Sequence, residues 1–154
     1  MTEIIAAGEY PDVFTRTDPF AIPISKIAAG TDLSFTVPNG LNWNVVSLTA
    51  KFTASAAAAN RVISFQVKDQ GGTLVYGYPL PTLTASQTQT LLFSEDVVSI
   101  PGSFTNGGTS LVPMPSTWLP SLWTFSTSTA AIDTADQWSL VGCWVQAYLP
   151  RAGE

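Results

Sequence analysis

Residues 61–78 read RVISFQVKDQGGTLVYGY, and this stretch decides the fold class. Ile63, Phe65 and Val67 alternate with Ser64, Gln66 and Lys68. Asp69-Gln70-Gly71-Gly72 then interrupts, and Leu74, Tyr76 and Tyr78 resume on one side. A period of two sends successive side chains to opposite faces of a pleated strand, and a Gly-rich break between two such runs marks a β-hairpin. The same period continues in both directions. Residues 32–37 (DLSFTV) alternate strictly and end at a Pro38-Asn39-Gly40 turn. From Val46 to Thr53 the inward set is expected to be Val46, Leu48, Ala50 and Phe52, opposite Ser47, Thr49, Lys51 and Thr53. Further strands are predicted around 88–93, 97–100, 123–127 and 138–149.

Proline and glycine fall between these runs more than inside them, as sheet interiors require. The best helical candidate, residues 54–60, is short and sits where a loop is expected. Eight or so short strands with regular turn signals predict an all-β chain, an antiparallel β-sandwich of jelly-roll-like type, over residues 21–154. Residues 1–20 lack either period and read as an extended N-terminal arm. Ile4, Ile5, Tyr10, Val13, Phe14 and Phe20 make it more apolar than tails tend to be, so docking on its own domain or on a neighbour stands as an even alternative to a disordered tail. Fully stretched, it reaches roughly 60 Å.

The last predicted strand carries apolar groups on both faces. Trp138, Leu140, Trp144 and Tyr148 fall on one side, and Val141, Cys143, Val145 and Leu149 on the other. Such a strand is buried between two layers. The second layer is either the chain's own loops and arm or a neighbouring subunit. In the latter case Val141 and Val145 are interface residues.

Composition points the same way. Charged residues are 11% of the 154, against about 25% in an average globular chain. Nineteen Thr and 15 Ser supply the polarity instead. Hydroxyl surfaces are cheaper to desolvate at an interface than charged ones. Six basic against 11 acidic residues give a net charge of −5, too few cations for the basic patch that nucleic acid requires. No apolar run approaches the ~20 residues of a membrane span, and MTEIIAAGEY has neither the basic nor the apolar region of a secretory signal. Synthesis in a cytoplasm is expected.

The residues offer little chemistry. Without histidine there is no Ser-His-Asp or Cys-His nucleophile and no His-based metal site. The single Cys143 lies in an apolar strand with no cation to lower its pKa, and reads as a small core residue. Gly71-Gly72 and Gly107-Gly108 lack the following helix of a phosphate loop and read as turns. Asp133 and Asp136 could offer oxygens to calcium, but the calcium-loop pattern is missing and turn capping is the expected role. No catalytic residue, metal or cofactor is expected. Of five tryptophans, Trp43, Trp138 and Trp144 are expected in the core. Trp118 and Trp123, flanking Leu119-Pro120-Ser121-Leu122, are the candidates for exposed contact with protein or with a sugar ring.

The order of these signals resembles that of small β-sandwich proteins encoded among the structural genes of tailed bacteriophages. The matching features are WNVVSLTA at 43–50, Asn60-Arg61 opening a strand, the turn at 69–72, the Pro/Leu-rich stretch 112–122, and Ile132-Asp133 with Asp136-Gln137-Trp138-Ser139. Together they span about two thirds of the chain. Ser121 stands where that pattern carries glycine. The resemblance implies a virion component of the capsid decoration, or cement, type. Its partners would be the major capsid protein or other virion proteins, and it would form a homo-oligomer, a trimer being favoured. A glycan-binding module of a fibre or spike and a neck or tail component are the alternatives.

Overall fold

The computed structural model describes residues 20–22, 27–94, 105–114 and 118–148. Ten strands and no helix make up these residues: β1 (Phe20–Ile22), β2 (Ser34–Thr36), β3 (Asn42–Thr53), β4 (Arg61–Lys68), β5 (Leu74–Leu83), β6 (Thr88–Ser94), β7 (Thr109–Pro113), β8 (Trp118–Leu119), β9 (Thr124–Ala130) and β10 (Gln137–Tyr148). They form two sheets. One runs β1-β10-β3-β6-β7, with β8 also on β3, and the other runs β2-β9-β4-β5. All pairings are antiparallel except β6 with β7. The two sheets pack face to face as a β-sandwich.

The hairpin of the opening stretch forms as read. Phe65 pairs with Tyr78 and Val67 with Tyr76. Asp69 closes the turn, its carboxylate Oδ1 accepting from the amides of Gly71 and Thr73, both at 2.8 Å. Gly72 takes φ +81°, where a side chain would be strained. Residues 54–60 form a loop, as expected.

Alternation fills the space between the sheets. Leu48, Ala50 and Phe52 of β3, Leu91 and Phe93 of β6, and Cys143 and Val145 of β10 project from one side. Ile63, Phe65, Val67 and Phe125 meet them from the other. Phe65 joins the layers, its ring 5.1 Å from Phe93 and 6.3 Å from Phe125. Phe52 and Trp138 pack edge-on at 4.8 Å. Each fully buried aromatic contributes roughly 1.5–3 kcal/mol of transfer free energy.

Two irregularities change which residues face outward. In β3 the register slips opposite Trp144 and Val145, leaving Val46 as an extra residue that points out. This corrects the inward assignment of Val46. In β10 the register slips between Ser139 and Gly142. Leu140 sits there at φ +48° and 75% exposed. A bulge adds one residue and so switches parity. Trp138 therefore joins Cys143, Val145 and Ala147 in the core, and Trp144 is turned out to 50% exposure. The sequence period puts Trp138 and Trp144 on the same side; the bulge separates them.

Candidate functional site: the outer face of the larger sheet

Reading the registers across β10, β3, β6 and β7 gives the outward rows of the larger sheet. Trp144 lies beside Ser47, Ser94 and Pro113; Gly142 beside Thr49, Leu92 and Leu111; Ser139 beside Lys51, Thr90 and Thr109. Toward the other end, Gln146 pairs with Asn44 and Tyr148 with Asn42, while Trp118 of β8 sits opposite Asn44. Across these rows Lys51 is the single charged side chain. The rest is hydroxyl and amide, with apolar islands.

The islands are exposed. Trp144 is 50%, Trp118 43% and Leu111 46% accessible, and Val46 stands out beside them. Trp118 meets Tyr148 edge-on with ring centroids 3.9 Å apart. Below them the amides of Asn44 and Gln146 approach at 3.5 Å, and Asn42 accepts from the Ser121 amide at 3.2 Å. Among the described residues the platform is thus nearly uncharged and tied down at its aromatic end. Its rows gather no cluster of titratable groups among those residues.

The described cations explain part of that neutrality. Lys51 and Lys68 lie on the outer faces, but Arg61 is wholly buried at one end of the sandwich. All five of its N–H groups are used. Nε donates to Asp136 Oδ2 at 3.0 Å, Nη2 to Asp136 Oδ1 and Ser55 Oγ, and Nη1 to the carbonyls of Ala57 and Ala59. Asp136 also accepts from the amides of Ser55 and Asp133. Burial works to raise the Asp136 carboxyl. Those two amides and then the guanidinium outweigh it, so Asp136 lies below the usual carboxylate range. Asp133 caps its own turn, accepting from the Ala135 amide, and takes the Ser55 hydroxyl. Among the described residues no three acidic or thiol groups converge on a metal-sized space. Burial pushes the Cys143 thiol up to about 12.

The expected contact residues are distributed as follows. Trp118 is exposed on the platform. Trp123 and Val141 are half-buried against the core, and Val145 is completely buried in it. Val145 is therefore not a surface group of the folded chain, whereas Trp144, assigned to the core from its strand position, is exposed. Phe20 pairs through its backbone with Val145, adding β1 to the edge of β10. Ile4, Ile5, Tyr10 and Phe14, like the strand expected at 97–100, lie outside the described residues. No family model, curated protein or solved structure matches the chain.

Proposed function

We propose that this protein is a non-enzymatic structural subunit of a tailed-phage virion, of the capsid decoration type, binding and bridging major capsid proteins on the head surface. The single observation behind this reading is the outer face of the larger sheet, an extended, nearly uncharged surface bearing exposed Trp118, Trp144 and Leu111. Large apolar groups in an uncharged surround are what a protein interface buries at its centre. Desolvating hydroxyls and amides that find partners costs less than desolvating ions. The jelly-roll-like scaffold and the arm of residues 1–20 reaching to a neighbour belong to the same proposal, as does homo-oligomerisation. Contacts that exist only in the assembled shell stabilise the shell by mass action.

Quantitative mass spectrometry of purified particles tests this. Hundreds of copies per particle are expected, with loss of binding to heads when Trp144→Asp and Trp118→Asp are combined in a chain that keeps its circular dichroism. A dozen or fewer copies would place the chain in the neck or a fibre and overturn the decoration role. A second reading rests on exposed Trp118 standing opposite Asn44, with exposed Trp144 on the same face. Aromatic faces next to amides suit a sugar ring, and a glycan array with hits abolished by Trp144→Ala would favour a receptor-binding module instead.

A further inference from the structure

Two Asn-Gly pairs stand in exposed turns, Asn39-Gly40 and Asn106-Gly107. Before glycine an asparagine side chain is most open to attack by the next backbone amide, because glycine has no side chain to block the approach. The first pair is held loosely. Residues 38–41 form a β-turn closed by the Leu41 amide on the Pro38 carbonyl at 3.2 Å. Gly40 takes φ +79° in it, and a Cβ there would meet nothing within 4 Å. Its amide donates to Ser121 Oγ at 2.9 Å. The Ser121 hydroxyl in turn lies 3.3 Å from Asn39 Oδ1 and 3.4 Å from the Pro38 carbonyl, and its one proton serves one of them at a time. A long bond from a shared, rotatable hydroxyl lets the Asn39 carboxamide swing.

The second pair is locked. Asn106 Oδ1 accepts from the Thr88 amide at 2.8 Å, and the Gly107 amide donates to the Thr88 carbonyl at 2.7 Å. Both reacting groups are thus bonded to the main chain of the first residue of β6, and they come together only when the start of that strand opens. Bonds that must break first add to the barrier.

We infer that Asn39-Gly40 is a self-modifying site, which converts spontaneously to aspartate and isoaspartate in the folded chain while Asn106-Gly107 stays intact, and that isoaspartate there loosens the strand carrying Trp118. The Gly40 nitrogen gives its proton to water or hydroxide and bonds to Asn39 Cγ. The Cγ–Nδ2 bond breaks, and ammonia leaves with that electron pair and a proton. Water then opens the cyclic imide. Cleavage at Cγ restores the ordinary chain as aspartate. Cleavage at the main-chain carbonyl carbon routes the backbone through Cβ and Cγ as isoaspartate. Nothing is oxidised or reduced, and water is the co-reactant. The turn is tied to Ser121, whose own amide donates to Asn42 Oδ1. Ser121 follows β8, where Trp118 and Leu119 pair with Asn44 and Trp43. An added backbone atom at position 39 breaks the Pro38–Leu41 closure and withdraws Gly40 from Ser121, so the anchor of β8 weakens. The chemistry needs no partner and stands whether or not the platform docks on a capsid.

Peptide mapping by mass spectrometry tests this on the full chain aged in warm, mildly alkaline buffer. Asn39 is expected to convert about tenfold faster than Asn106, the effect of one or two hydrogen bonds on a barrier. In the urea-unfolded chain, where both turns are lost, the two pairs should react at similar rates. Asn39→Gln, whose longer side chain does not close that ring readily, should abolish the fast conversion and leave Asn106 as it was. Hydrogen exchange of the isoaspartate form should show lost protection at residues 118–121 and unchanged protection at 88–91. Equal conversion of the two pairs in the folded chain, faster conversion of Asn106, an unreacted Asn39, or unaltered protection at 118–121 would overturn the inference.

Discussion

Arg61 sets the terms at the residue scale. It is wholly buried, and every donor of its guanidinium is satisfied. Breaking a buried pair leaves an uncompensated charge, so Arg61→Ala is expected to cost about 3–5 kcal/mol, measured by urea denaturation. The pH dependence follows from Asp136. Its folded-state pKa lies below the value near 3.9 of an unfolded chain. A group with a depressed folded pKa contributes stability that is present above the unfolded value and lost as pH falls through the folded one. Stability should therefore fall below about pH 4, and Asp136→Asn should flatten that part of the curve while lowering stability at neutral pH. The pair was legible in part. Arg61 shares the parity of Ile63, Phe65 and Val67, and that alone places it inward. Its partner, 75 residues away, follows only from topology.

At the scale of the strand, the alternating runs were readable because one face of each is buried, and the bulges were not, because nothing in the pattern announces an extra residue. Leu140 carries the clearest sign of one. It holds φ +48° while 75% exposed, so backbone geometry and not burial places it there. Leu140→Asn, which tolerates that conformation, should be neutral or slightly stabilising. Leu140→Val should destabilise by about 1–2 kcal/mol, since a β-branched residue resists positive φ. Thermal unfolding distinguishes the two. Deleting Leu140 is the stronger test, because a one-residue shift must turn either Trp138 or Trp144 to the wrong face. β5 shows the opposite failure of pattern. Pro79 and Pro81 suggest the end of a strand near Tyr78, yet the strand runs to Leu83 because an edge accepts prolines that a central strand would not. The parallel β7 buries Ser110 and exposes Leu111, the reverse of an apolar-in pattern, and two-residue β8 is too short to carry a period.

For the molecule as a whole, the low charge seen in the composition becomes a geometric statement. The chain buries Arg61 and leaves a broad sheet face with Lys51 as its one ion among the rows described. That such a face exists was foreseeable from 34 Ser and Thr in 154 residues (19 Thr plus 15 Ser). Of the tryptophans on it, Trp118 was readable from its Pro-rich surround, but Trp144 was not, because a bulge decides which way it faces. On the proposed function, another protein would cover this face when the chain is at work. Oxidative footprinting of the free chain and of purified particles containing it tests that directly. Trp118 and Trp144 should oxidise readily in the free chain and be strongly protected in the particle, while exposed Val62 on the smaller sheet should change little. Equal oxidation of both tryptophans in the two states would contradict it.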